Sequence, residues 1–103
     1  MNLYLIMDLL LGGDLRYHIA RKRRFSEDIT RFFIACLVHA LESVHAANII
    51  HRDIKPENIM ITKEGSVRLI DFGLSKASKN KNLSTVAGTP YYMAPEVLEG
   101  SYG

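Results

Sequence analysis

His51-Arg52-Asp53-Ile54-Lys55-Pro56-Glu57-Asn58 places a carboxylate, an ammonium and an amide within eight residues. Pro56 has no N–H and a fixed φ, and it biases Lys55 away from the α region. The stretch therefore reads as a loop, and a loop can aim Asp53, Lys55 and Asn58 at one small volume. Apolar Ile49-Ile50 leads in and Ile59-Met60-Ile61 leads out. Polar groups between two apolar anchors are a common setting for catalysis.

Upstream, Ser26-Glu27-Asp28 has the form of a helix start, a capping hydroxyl followed by two acids. Ile29, Phe32, Phe33, Cys36, Leu37, Ala40, Leu41 and Val44 then recur at the spacing of one buried helical face, predicting a helix to about His45 or Ala46. A shorter helix is expected from Asp14 to about Ile19–Arg21, after the Gly12-Gly13 breaker. Residues 2–8 read as a strand. Downstream, Asn58 to Thr62 and Val67 to Ile70 read as a hairpin turned by Lys63-Glu64-Gly65-Ser66. The hairpin brings Asn58 and Asp71 together, and two oxygen-bearing side chains so placed suit Mg²⁺. From Leu74 to Val86 the hydrophobic pattern gives way to a polar stretch.

Composition bounds the rest. The chain has 103 residues, 48% hydrophobic and 23% charged, with a net charge of +2, which is ordinary for a globular protein. A single cysteine, Cys36, allows no internal disulfide and is expected to be a buried structural thiol. No apolar run reads as long enough to cross a bilayer, and residues 1–7 lack the basic flank of a signal peptide. A cytoplasmic or nuclear protein is therefore expected, with no membrane segment. The small positive balance, densest at Arg21-Lys22-Arg23-Arg24, does not call for nucleic acid. His39 and His45 have no companions at metal-ligand spacing.

The loop sequence resembles the protein kinase catalytic loop, H-R-D-L-x-x-x-N, with Ile54 in place of Leu. Asp71-Phe72-Gly73 and Ala94-Pro95-Glu96 follow in the family's order. The resemblance covers nearly the whole chain. It implies an α+β, protein-kinase-like fold, present in part: residues 1–13 as the last small-lobe strand and hinge, residues 14–103 as the first portion of the mainly helical large lobe.

The resemblance also implies roles. Asp53 would be the catalytic carboxylate toward a substrate hydroxyl, and Lys55 would hold the γ-phosphate of ATP. Asn58 and Asp71 would bind Mg²⁺. Met7 would be the gatekeeper, Asp8 and Leu10 the hinge contacts to adenine, Asp14 the ribose contact and Met60 the floor under the base. Lys55 and Gly88-Thr89-Pro90 match the form that phosphorylates Ser/Thr hydroxyls of protein substrates. Thr89 would bond Asp53 and Lys55. Glu57 matches a position that meets substrate arginine in some members. A phosphate on Thr85, four residues before Thr89, would bring about −1.5 to −2 charges and pair with Arg52. Ser84 is the neighbouring alternative.

The chain contains neither G-x-G-x-x-G nor a V-A-I-K lysine, and by resemblance these would precede residue 1. The remaining large-lobe helices would follow Gly103. An internal piece of a kinase domain is thus expected, poorly folded and inert by itself. The alternatives are a non-catalytic kinase-like regulatory module and a small-molecule kinase. The complete set Asp53, Lys55, Asn58 and Asp71 disfavours the first. Ala94-Pro95-Glu96 and the long polar stretch disfavour the second.

Overall fold

The computed structural model describes residues 1–77 and 86–102. Helix α1 (Leu15–Lys22) opens on Asp14, whose Oδ1 accepts a 2.8 Å hydrogen bond from the Tyr17 N–H. Arg21 and Lys22 occupy the last turn, where cations favour the helix dipole. Helix α2 (Glu27–Ala46) is capped by Ser26, whose Oγ accepts from the Ile29 N–H at 3.3 Å. Glu27 and Asp28 fill its first turn and both pair with Arg31, at 2.9 and 3.1 Å. Both helices thus lie where caps and periodicity put them.

The buried face of α2 is shallower than its pattern predicts. Phe33, Cys36, Leu37, Ala40, Leu41 and Val44 are half-buried, while Ile29 and Phe32 are exposed. Cys36 is therefore a half-buried thiol and not a buried one. The reason is the cover available: among the described elements, α2 packs chiefly on two short strands, β1 (Ile49–Ile50) and β3 (Val67–Leu69). By length and composition alone, α2 is apolar enough to span a bilayer, which corrects the reading that no run is. Its packing on β1 and β3 and its charged first turn are those of an amphipathic helix laid across two strand pairs.

Strand β2 (Ile59–Ile61) pairs antiparallel with β3, Ile59 opposite Leu69 and Ile61 opposite Val67. The turn is closed from both sides: Thr62 N–H to Ser66 O at 2.8 Å, Gly65 N–H to Thr62 O at 3.0 Å, and Ser66 N–H to Thr62 Oγ1 at 3.0 Å. A second ladder joins β1 to β4 (Lys76–Ala77), with Ile49 opposite Ala77. A short helix, α3 (Pro95–Leu98), follows a 3-10 turn at Pro90–Tyr92.

Residues 2–8 do not form the expected strand. Strand geometry is held by a ladder of hydrogen bonds to a neighbour, and no described strand lies beside this segment. The segment is anchored at its C-terminal end, where the Ile61 N–H donates to Gly13 O at 2.9 Å. Gly12 permits that approach, because a Cβ there would collide with the Ile61 carbonyl.

Ile59 and Tyr102 are the buried apolar residues of the described chain. The buried polar ones are His51, Asp53, Asn58 and Thr62. The deepest part of the fold is thus a polar loop. Buried polar groups are tolerated only when bonded, and no buried side-chain nitrogen or oxygen among the described residues lacks a partner.

Candidate active site

His51 fastens the loop. It is 1% exposed, its Nδ1 accepts the Asp53 N–H at 3.1 Å, and its Nε2 lies 2.8 Å from Ile70 O. A carbonyl only accepts, so Nε2 carries the proton and the ring is the neutral Nε2–H tautomer. The ring also meets Phe72 edge-on, with centroids 4.7 Å apart. His51 therefore ties the loop to the residues on either side of Asp71. The sequence reading gave His51 no role beyond its letter in the motif. Its place between Ile50 and the polar cluster was the available sign of burial.

Asp53 is the hub. Its Oδ1 accepts from Thr89 Oγ1 at 3.0 Å, and its Oδ2 accepts from Asn58 Nδ2 at 3.1 Å with Lys55 Nζ 3.6 Å away. Lys55 Nζ donates to Thr89 Oγ1 at 2.8 Å. The Thr89 hydroxyl thus accepts from the ammonium and donates to the carboxylate. Asn58 Nδ2 also donates to the Asp53 carbonyl at 2.9 Å. That commits the amide nitrogen to Asp53 and leaves Oδ1 as the end available to a cation.

The hairpin brings Asn58 toward Asp71 by backbone pairing: the Ile70 N–H donates to Asn58 O at 2.9 Å. Asp71 then takes φ 58°, a left-handed value uncommon for any residue but glycine, and its Oδ1 accepts from the Gly73 N–H at 3.2 Å. Arg52 also takes a left-handed value, φ 71°. Left-handed backbone at both Arg52 and Asp71 is strain of the kind found at functional sites.

A cleft of about 830 Å³ opens beside Asp71. Met7, Asp8, Leu10, Met60 and Asp71 line it, together with Leu5, Ile70, Phe72 and Gly73. Four of the residues expected around a nucleotide base thus meet the expected cation ligand. Asp14 and Lys55 do not line it. Asp14 caps α1 and bridges Met60, and Lys55 sits with Asp53 and Thr89.

Arg52 Nε donates to Leu74 O at 2.6 Å, and its Nη1 to the Tyr102 hydroxyl at 3.4 Å. Thr85 and Ser84, the expected regulatory hydroxyls, lie outside the described residues. Glu57 is exposed and 3.9 Å from Arg16. An exposed pair at that distance contributes little to stability.

The family model for the protein kinase domain matches residues 1–103. The chain belongs to the protein kinase family. It is 48% identical over 97 residues to the serine/threonine-protein kinase SCH9 of Saccharomyces cerevisiae, covering 94% of this chain and 12% of that protein. It is 47% identical over 105 residues to the RAC-beta serine/threonine-protein kinase of Rattus norvegicus, covering 99% of this chain and 22% of that protein. With sck1 of Schizosaccharomyces pombe the figures are 50% over 99 residues, 94% and 14%. Each of these three relatives is named a serine/threonine-protein kinase, and the chain spans under a quarter of their length.

Protein kinases use ATP and Mg²⁺. In this kinase chain the donor set fits them: an apolar-walled cleft, a carboxylate at Asp71 and an amide oxygen at Asn58. No cluster of three His, Cys, Asp or Glu suited to a metal occurs among the described residues. A cation held at Asn58 and Asp71 would complete its oxygen shell from phosphate and water, as Mg²⁺ usually does.

Proposed function

We propose that this chain supplies the catalytic loop and nucleotide cleft for ATP-dependent phosphorylation of Ser/Thr hydroxyls on protein substrates. The observation that carries the reading is the hydrogen-bonded set Asp53, Lys55, Thr89 and Asn58. It holds a carboxylate and an ammonium in fixed register, and phosphoryl transfer asks mainly for positioning and charge cancellation.

Asp53 would accept the hydrogen bond of the substrate hydroxyl and take its proton as the new P–O bond forms and the bridging β–γ P–O bond of ATP breaks, with ADP as the leaving group. Oδ1 is already oriented by Thr89, so little reorganisation is needed. Lys55 faces the γ-phosphate as a compact point charge. Asn58 and Asp71 would hold Mg²⁺, whose charge would offset that of the phosphates. Met7, Asp8, Leu10 and Met60 surround the adenine, and Asp14 keeps its second carboxylate oxygen for the ribose. Arg52 is the cation that a phosphate on Thr85 would recruit.

The test is phosphotransfer by the natural gene product that carries residues 1–103, with Mg·ATP and matched peptides ending in Ser, Thr or Tyr acceptors. Transfer to Ser and Thr, lost in Asp53→Asn, is expected. Transfer to Tyr alone, or transfer unaffected by Asp53→Asn, would overturn the reading.

A further inference from the structure

Gly88 is glycine for two independent reasons. Its φ is 110°, a value that L side chains rarely adopt. A Cβ at this position would also collide with the carbonyl oxygen of Arg52, a backbone atom of the catalytic loop. A flexible side chain could swing away from such a clash, whereas a backbone carbonyl in a strained loop cannot. Arg52 itself is held at φ 71° between the buried residues His51 and Asp53. The two backbones therefore touch where one of them has no side chain.

The next residue is Thr89, whose hydroxyl accepts from Lys55 at 2.8 Å and donates to Asp53 at 3.0 Å. Those bonds tolerate a displacement of a few tenths of an ångström before they weaken. Thr89 is N-terminal to Pro90, and the 3-10 turn at Pro90–Tyr92 fixes the chain on its other side. Its placement against Asp53 is thus set by how closely position 88 approaches position 52.

We propose that Gly88 is the positioning residue of the site: its close approach to the Arg52 carbonyl seats the Thr89 hydroxyl between Asp53 and Lys55. The proposal rests on the phosphotransfer reading for its consequence, but its geometry is tested without turnover. Adding a Cβ at position 88 lifts Thr89 away, leaving Lys55 without its 2.8 Å acceptor.

The experiment is covalent labelling of lysines with an acylating reagent, read residue by residue by mass spectrometry on the natural gene product. Exposed Lys63 is the internal standard, and half-buried Cys36, labelled in parallel with a thiol reagent, reports global opening. In the wild type, Lys55 is acylated more slowly than Lys63. Gly88→Ala raises the Lys55 rate by roughly tenfold, the equivalent of one charge-assisted hydrogen bond, and leaves Cys36 unchanged. Thr89→Val reproduces that rise, Thr89→Ser does not, and Gly88→Ala adds nothing to Thr89→Val.

Equal wild-type rates at Lys55 and Lys63 would overturn the proposal, as would additive effects of the two substitutions. So would a Gly88→Ala protein in which Cys36 opens together with Lys55, since Gly88 would then serve folding and not position. Phosphotransfer is measured on the same samples. An inactive wild type with the labelling pattern above sinks the functional reading and leaves the positioning role standing. An active wild type indifferent to Gly88→Ala in both assays does the reverse.

Discussion

Thr89 donates a 3.0 Å hydrogen bond to Asp53 across a separation of 36 residues, and the same hydroxyl accepts from Lys55 at 2.8 Å. The loop and the segment before α3 are therefore joined at the hub of the site. Removing the hydroxyl while keeping the shape, as in Thr89→Val, deletes a charge-assisted bond at each end. Such bonds are worth about 1.5–3 kcal/mol each. Thr89→Val in the natural gene product is expected to lower kcat by roughly 10–100-fold, with Thr89→Ser retaining most of it. Steady-state peptide phosphorylation decides the matter. Equal kcat for Val and Ser would show that the hydroxyl is dispensable.

Asn58 has two tasks that separate experimentally. Its Nδ2 satisfies the Asp53 carbonyl and Oδ2, and its Oδ1 is the amide oxygen left for a cation. Asn58→Ala leaves the Asp53 carbonyl without its Asn58 donor, which costs about 1–3 kcal/mol of stability. It also removes the amide oxygen proposed as a cation ligand, so the Mg²⁺ concentration needed for half-maximal ATP binding is expected to rise. Thermal melts with and without Mg·ATP read both effects. A variant with unchanged Tm and unchanged Mg²⁺ dependence would contradict the assignment.

The helices were legible because their signals are local. Ser26 with Glu27 and Asp28 marks the start of α2, Asp14 marks that of α1, and each cap is seen to bond. The hairpin was legible because Gly65 and the flanking β-branched residues specify it. The strand expected at residues 2–8 was not found, since a strand exists only with a partner and apolar content does not name one. The β1–β4 ladder was missed for the converse reason: two residues on each side are too few to show alternation. Within the site, the convergence of Asp53, Lys55 and Asn58 was legible from the loop, and the contact of Thr89 with Asp53 and Lys55 from the family resemblance. The burial of His51 and the close approach at Gly88 depend on a second segment crossing the loop, and no local pattern encodes that crossing.

The exposed apolar surface carries its own consequence. Leu3, Leu5, Ile6 and Leu9 in the N-terminal segment, Val38 on α2 and Leu98 on α3 all face solvent, Ile6 at 99%. Contiguous apolar patches beyond a few hundred Å² mark surfaces that associate. Residues 1–103 expressed by themselves are expected to self-associate at micromolar concentration and to bind a hydrophobic dye strongly. Sedimentation velocity provides the check. A monodisperse monomer with weak dye binding would show that these side chains are better covered than the structure has them.

His51 offers the sharpest separation of packing from hydrogen bonding. It lies 1% exposed between the Asp53 N–H and the Ile70 carbonyl, with Phe72 edge-on at 4.7 Å. His51→Phe keeps an aromatic ring of similar size and loses both hydrogen bonds, so it should cost about 1–3 kcal/mol for each buried group left unpaired. His51→Ala loses the packing as well and should cost about 1–3 kcal/mol more. A cycle combining His51→Ala with Phe72→Leu isolates the ring contact, expected at about 0.5–1.5 kcal/mol. Urea unfolding of the natural gene product measures the wild type and these four variants. If His51→Phe were as stable as the wild type, the loop would be held by packing alone, and the hydrogen bonds through the imidazole would not be what orients Asp53.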